Sequence, residues 1–408
     1  MGDLFGSKPL GPVPSPAVLH RVLDDDTPAV ISDDLVTVTV ARLTTNAAYR
    51  FAPPFIATIA RGLDVSIAEI GVALAISDVC GLSSPLIGRV VDRVPRRWSM
   101  TGGLVVIAAG AAAAALSTGL VMFTAALLMI SLAKIVFDVG LGAWIADHVA
   151  YARRSRIVGI TETSWALGLL VGVSAMGLLT TIWSWRAGYL AAMAAVGVMA
   201  VVVGRRIPTE RTRVHLDGAP VVGRLPLAGW LAVAGMFGLM SSAQSLFITF
   251  GPWLEDEFGF TTAGLAGVAF GLGAVELVAS SMSAARTDRW GKERSVVGGA
   301  LVMIPAALAL AVFNEHLAVG LVLLAIFIAA FEFSIVSALP IGAELVAGAP
   351  GRGIGTMIAC GTVGRALMAI PATRLYERHG IVPAALLGAA TALVAGGAMF
   401  ARRRALDR

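Results

Sequence analysis

Twelve stretches rich in apolar residues follow one another along this chain. Each is close to the roughly 20 residues that a helix needs to cross a hydrocarbon core. They run from about Leu35 to Ala60, Ile67 to Val91, Met100 to Leu116, Leu120 to Ile145, Ile157 to Ile182 and Ala187 to Val203. They continue from Leu227 to Trp253, Ala263 to Ala285, Ser295 to Phe313, Leu317 to Ala343, Ile354 to Tyr376 and Ile381 to Ala401. Pro53-Pro54 breaks the first. Backbone groups in lipid must be satisfied within their own segment, so such a chain is expected to fold as a bundle of membrane helices. Composition agrees: 57% of the residues are hydrophobic and 14% charged, where a soluble chain carries about a quarter charged.

The basic residues orient the bundle. With the N-terminus inside, 23 of the 31 Lys and Arg fall in inside segments. Four, Arg61, Arg186, Arg374 and Arg378, fall outside, and four lie within spans. This asymmetry predicts cytoplasmic termini and an even number of spans. The pI near 9.7 comes from short loops between apolar runs, so it describes orientation and no nucleic-acid surface. Residues 1–33, with Asp24-Asp25-Asp26 and no cleavable signal, read as a disordered cytoplasmic tail. Residues 34–203 read as an N-terminal six-helix bundle and 204–225, holding five arginines, as a cytoplasmic linker. Residues 226–401 read as a second six-helix bundle and 402–408 as a short tail. Cys80 and Cys360 sit in apolar runs and imply no disulfide framework. The five histidines do not cluster, and no pair has metal-ligand spacing.

Two loops share a pattern. The first reads Gly88-Arg89-Val90-Val91-Asp92-Arg93-Val94-Pro95-Arg96-Arg97. The second contains Ala284, Asp288, Arg289, Gly291 and Lys292. Asp92 and Asp288 lie close to half a chain length apart, which predicts two similar halves. The pattern resembles the loop signature Gly-x-Leu-Ala-Asp-Arg-x-Gly-Arg-Arg of the major facilitator superfamily. The first copy has Pro95 at the second Gly, and the second has Ala284 at the first. The resemblance implies an all-α integral membrane protein with twelve transmembrane helices in two pseudo-symmetric six-helix bundles. It places spans three, six, nine and twelve at the periphery. Spans one, four, seven and ten would line a cavity, and two, five, eight and eleven would form the interface that rocks. It also implies that Asp92, sharing one helix face with Gly88, meets the start of span eleven near Gly353 when the cytoplasmic side is closed. Asp288 would mirror it near Gly159. Arg93, Arg96 and Arg97 would hold the first loop at the anionic inner leaflet.

An ionisable side chain at mid-bilayer costs at least ~2.5–3.5 kcal/mol, so each one asks for a reason. The bases within spans are Arg42, Arg50, Lys134 and Arg365. The acids are Asp78, Asp138, Glu162, Glu276 and Glu332. Spans three, six, nine and twelve carry none. Lys134 and Asp138 are four apart, hence on one helix face and able to pair. Glu332 and Arg365 are expected partners in the second half. Asp78 and Glu332, near mid-span, are the proton-coupling candidates, with Arg50 and Arg365 as switching partners or an anion site. On span five, Gly159, Gly168, Gly172 and Gly177 resemble the glycine spacing of the superfamily's antiporter signature, with Val173 and Met176 replacing its Pro and one Gly. Small residues so spaced let helices approach closely. Trp144, Trp165, Trp230 and Trp253 are candidates for stacking on a substrate, with core packing or interface anchoring as the alternative.

The resemblance to small bacterial efflux members implies proton-driven antiport of a small organic solute or drug by alternating access. The expected partners are that solute, protons and the lipid bilayer, with no cofactor and no nucleic acid. The expected setting is a monomer in a bacterial inner membrane. A proton symporter or facilitator importing a sugar, organic acid or other metabolite is the alternative. A membrane-embedded enzyme lacks a catalytic cluster, and a receptor lacks a sizeable soluble domain.

Overall fold

The computed structural model describes residues 29–91, 93–148, 151–208, 225–346 and 350–407, which are helical apart from short turns and contain no strand. The first expected span is α1 (Ala29–Arg50), a 3-10 turn at Pro53–Phe55 and α2 (Ile56–Leu63). Two consecutive prolines remove two helix donors and force this break. The second is α3 (Ile67–Val79), a 3-10 turn at Cys80–Ser83 and α4 (Ser84–Val91). Ser66 and Glu69 start α3 with a reciprocal capping box. Then come α5 (Arg96–Ala115), α6 (Leu120–His148), and α7 (Tyr151–Leu167) joined through a π-helical turn at Gly168–Val173 to α8 (Ser174–Ile182). The first half closes with α9 (Trp185–Arg206). The second half holds α10 (Leu227–Phe247) with α11 (Phe250–Phe258), α12 (Thr262–Trp290), α13 (Lys292–Phe313), α14 (Leu317–Glu344), α15 (Pro350–His379) and α16 (Ile381–Leu406).

Ten of the twelve expected spans, the third to the twelfth, are long and apolar enough to cross a membrane among the described residues. The second reaches that length only as two helices joined by a turn. The first is diluted by polar residues from Thr37 to Arg50. Its helix also begins at Ala29, inside the tail expected to be disordered. Helices α9, α12 and α16 run past their expected ends to take in Arg205, Arg206, Arg289, Arg403 and Arg404. A guanidinium in the last turn is favoured by the partial negative charge of the helix C-terminus, so an apolar run understates the length.

Helix α5 packs on α6 and α9, and α9 packs on α1. In the second half α10 packs on α15 and α16, while α13 packs on α14 and α16. Between the halves, α3 lies on α15, and α12 lies on α7, the π turn and α8. These crossings are close because glycines face them. A Cβ on Gly71 would sit 2.3 Å from Thr373 Oγ1, and one on Gly273 would sit 2.4 Å from Leu170 N. Exposed Val105, Val198, Leu301 and Leu393 line the outer faces of α5, α9, α13 and α16. Such faces suit hydrocarbon.

The two ends of the bundle differ. At one end, Glu255 accepts hydrogen bonds from Thr58 Oγ1 at 3.1 Å and from Arg61 at 2.5 Å. There Glu377 accepts from the Ala68 N–H in the first turn of α3 at 2.8 Å. A Cβ on Gly251 would lie 2.2 Å from the Pro54 carbonyl. Every one of these contacts joins the first half to the second. At the other end, where the basic loops lie, a Cβ on Gly88 would meet nothing within 4 Å. The ion pairs Arg96–Asp147, Lys292–Glu344 and Arg402–Glu293 there stay within one half.

Candidate functional site

Between the halves, at mid-height, lies a cavity of about 260 Å³. Its lining comes from α1, α6 and α7 on one side and from α10, α12, α14 and α15 on the other. No lining residue belongs to α5, α9, α13 or α16. The four helices read as carrying no internal charge are thus all away from the cavity, and so is the charged second segment, α3 and α4. The first half contributes Arg42, Arg50, Lys134, Asp138, Glu162 and Trp165. The second contributes an apolar wall that includes Met240, Phe247, Ile328, Phe331, Ile335 and Leu339.

The charges of the first half satisfy one another. Lys134 lies 2.5 Å from Asp138, one helical turn away. Arg42 reaches Asp138 at 3.3 Å and Glu162 at 2.8 Å. Two bases and two acids on three helices therefore form one neutral cluster, as burial in low dielectric requires.

Two further pairs cross from one half to the other. Arg50 on α1 makes a two-pronged contact with Glu276 on α12, at 2.8 and 2.6 Å. The same guanidinium donates to the Trp165 carbonyl at 2.8 Å and lies over the Trp165 ring. Arg365 on α15 reaches Asp78 on α3 at 3.2 Å, and the Tyr49 hydroxyl donates to Asp78 at 2.5 Å. The base sits in the first half in one bridge and in the second half in the other.

Glu332 differs from all of these. It is 3% exposed, and its Oε1 accepts from Ser280 Oγ at 2.6 Å. Its Oε2 has no hydrogen-bond partner. The expected Glu332–Arg365 pair does not form, because Arg365 turns to Asp78 across the interface. Among the described residues Glu332 is the cavity acid without a basic partner. Gln244 on α10, also lining the cavity, leaves its Nε2 without an acceptor. Gln244, Tyr49 and Ser280 escape a sequence survey restricted to Asp, Glu, Lys and Arg. A lone amide within an apolar run is the signal that finds Gln244.

Three of the span-five glycines face other helices. A Cβ on Gly168 would meet Asn46, one on Gly172 would meet Ala47, and one on Gly177 would meet Phe55 and Ala266. The π turn starts at Gly168, and turns of this kind occur often at functional sites. Asp92, the surroundings of Gly159 and the side chain of Asp288 lie outside what the structure describes, so the expected contacts of both loop acids do too. Gly353 packs against Gly342 of α14. Arg93 is exposed, Arg97 lies over the Trp98 ring, and Arg96 pairs with Asp147 at 2.9 Å. Gly291 joins α12 to α13 at φ +88°, a conformation that favours glycine. Trp144 and Trp253 are core residues and Trp230 is exposed, which leaves Trp165 as the candidate tryptophan at the cavity.

A family model described as Major Facilitator Superfamily matches residues 38–343. An uncharacterized MFS-type transporter of Bacillus subtilis (strain 168), YwfA, is 26% identical over 259 residues. That alignment spans 60% of this chain and 61% of the relative. Among solved structures, a bacterial homologue of the human lysosomal transporter Spinster, inward-facing and occupied, superposes with a TM-score of 0.73 at 13% identity. The match covers 93% of this chain and 98% of that one. The human organic anion transporter MFSD10 (TETRAN) superposes with a TM-score of 0.65 at 18% identity, covering 90% and 98%. At these identities the likeness is one of fold.

Proposed function

The chain belongs to the major facilitator superfamily, and from that premise we propose that it exports a small organic solute in exchange for protons, by alternating access across a bacterial inner membrane. The two six-helix halves, 34–203 and 226–401, rock about the crossings of α3 on α15 and of α12 on α7 and α8. Both termini and the linker lie in the cytoplasm, on the side of the basic loops. In this reading the present state is closed at the periplasmic end, where Glu255 and Glu377 bridge the halves.

One observation carries proton coupling: Glu332 lines the cavity and makes no ion pair among the described residues. A proton can join or leave it without orphaning a buried guanidinium. At Asp138, Glu162 or Glu276 the same event breaks an ion pair. Asp78 is the second coupling acid, because a proton there releases Arg365 and loosens a bridge between the halves. Gln244 and the apolar wall of α10 and α14 support a solute with an organic body and few polar groups.

The test is transport in proteoliposomes with an imposed pH gradient, screened against a compound library. Solute movement opposite to the protons supports export. Movement with the protons shows symport, and movement indifferent to the gradient shows a facilitator. With a substrate found, Glu332→Gln is expected to lose gradient-driven accumulation and keep exchange at equal pH. Full gradient-driven transport by both Glu332→Gln and Asp78→Asn would overturn the assignment.

A further inference from the structure

A second cavity, of about 340 Å³, opens at the basic-loop end of the second half, between the α12–α13 corner and the end of α16. Its charges are unevenly spent. Glu293 on its wall is engaged by Arg402 at 3.2 Å, and Arg402 also donates to the Ala228 carbonyl at 2.7 Å. Lys292, beside it, pairs with Glu344. These contacts fasten the start of α13 to the ends of α14 and α16 and make a fixed wall. Three guanidiniums remain on the notch: Arg289, Arg294 and Arg403. Arg289 and Arg294 are exposed and make no ion pair among the described residues. Among the described residues Arg403 pairs with Asp407 alone, at 3.9 Å in the same helix. Among the described lining residues three arginines face two acids, Glu293 and Asp407, so the formal surplus on the notch is positive.

Two more features point to the kind of ligand. Gly291 caps α13 with no side-chain hydrogen bond, so first-turn N–H groups of that helix have no cap at this notch. That end of a helix favours an anion. Trp290 and Leu406, both on the rim, are exposed, and Arg286 lies over the Trp290 ring at 5.4 Å. An aromatic ring beside arginines at the end of a spanning helix marks the depth of lipid headgroups. We propose that this notch binds the phosphate of an anionic phospholipid headgroup, with Arg289, Arg294 and Arg403 around the phosphate and Trp290 and Leu406 along its acyl chains. Basic pockets at the inner ends of spanning helices suit such headgroups. The site is separate from the transport cavity and does not depend on the direction of transport.

The experiment compares the full-length protein in bilayers of phosphatidylcholine alone and of phosphatidylcholine with phosphatidylglycerol, counting retained lipid by native mass spectrometry. The wild type is expected to retain phosphatidylglycerol. Arg289→Gln with Arg294→Gln is expected to bind it roughly 30-fold more weakly, the factor that goes with two lost charges at an anionic surface. Lysine at both positions keeps the charge and is expected to restore most of the retention. The control, Arg205→Gln with Arg404→Gln, removes the same charge outside the notch and is expected to change little. Equal losses in the control and notch variants would overturn the proposal by showing unspecific surface attraction. Displacement by inorganic phosphate at the lipid's own concentration would overturn it in favour of a soluble anion.

Discussion

Removing the Arg50 guanidinium leaves the Glu276 carboxylate buried and alone. An uncompensated charge of that kind destabilises by about 3–5 kcal/mol, whereas replacing both partners by apolar groups is often neutral. Arg50→Met and Glu276→Leu are each expected to lower the melting temperature in detergent, and the double variant is expected to recover most of the loss. Additive losses would show that the pair contributes no coupling. Glu332 gives the opposite expectation, because no base depends on it. Glu332→Gln keeps the shape and the bond to Ser280, so its melting temperature is expected to change little while proton coupling fails. The charges at these positions are legible in the sequence because each is costly in an apolar run. Their partners are legible only where they are local. Lys134 and Asp138 share a helix face, so spacing gives their pair. Arg50–Glu276 and Asp78–Arg365 bridge separations of 226 and 287 residues, and no periodicity encodes such a choice.

Helices α3 and α15 form one of the crossings between the halves, and at one end of it a carboxylate meets a helix terminus. The N-terminus of α3 receives Glu377 from the end of α15, the same kind of carboxylate-to-helix contact that the loop motif implies for Asp92 at the opposite end. The Pro53–Phe55 turn adds a steric latch, since the Pro54 carbonyl lies where a side chain on Gly251 would stand. Gly251→Ala forces this contact apart, and Glu377→Gln weakens the charge at the α3 terminus. Both variants are expected to raise the labelling of a cysteine placed in the cavity by a membrane-impermeant reagent added from the side opposite the basic loops. Labelling unchanged from wild type in both would show that this end is not held by these contacts. The kink at Pro53-Pro54 is readable from residue types alone. The π turn in the fifth segment is not, because Gly168–Val173 is as apolar as an ordinary turn of helix.

At the scale of the whole molecule the two halves are related by repetition, and the site between them is not. The first half brings a neutral cluster of four charges, while the second brings an apolar wall with one unmatched acid. Counting the mid-membrane groups gives five acids, Asp78, Asp138, Glu162, Glu276 and Glu332, against the four bases Arg42, Arg50, Lys134 and Arg365. Moving one elementary charge through the full potential is worth about 2.3 kcal/mol per 100 mV. With Glu332 ionised the empty carrier holds a formal surplus of one negative charge, and a proton there cancels it. Alternation of the empty carrier is therefore expected to displace charge, and alternation of the protonated carrier to be electrically silent. On a solid-supported membrane, a pH jump is expected to evoke a capacitive current from the wild type and a clearly smaller one from Glu332→Gln, in which Asp78 alone still takes a proton. Under the proton coupling proposed above, the missing counter-ion beside one glutamate would add the membrane voltage as a second driving force, one that favours whichever orientation brings that charge toward the positive side.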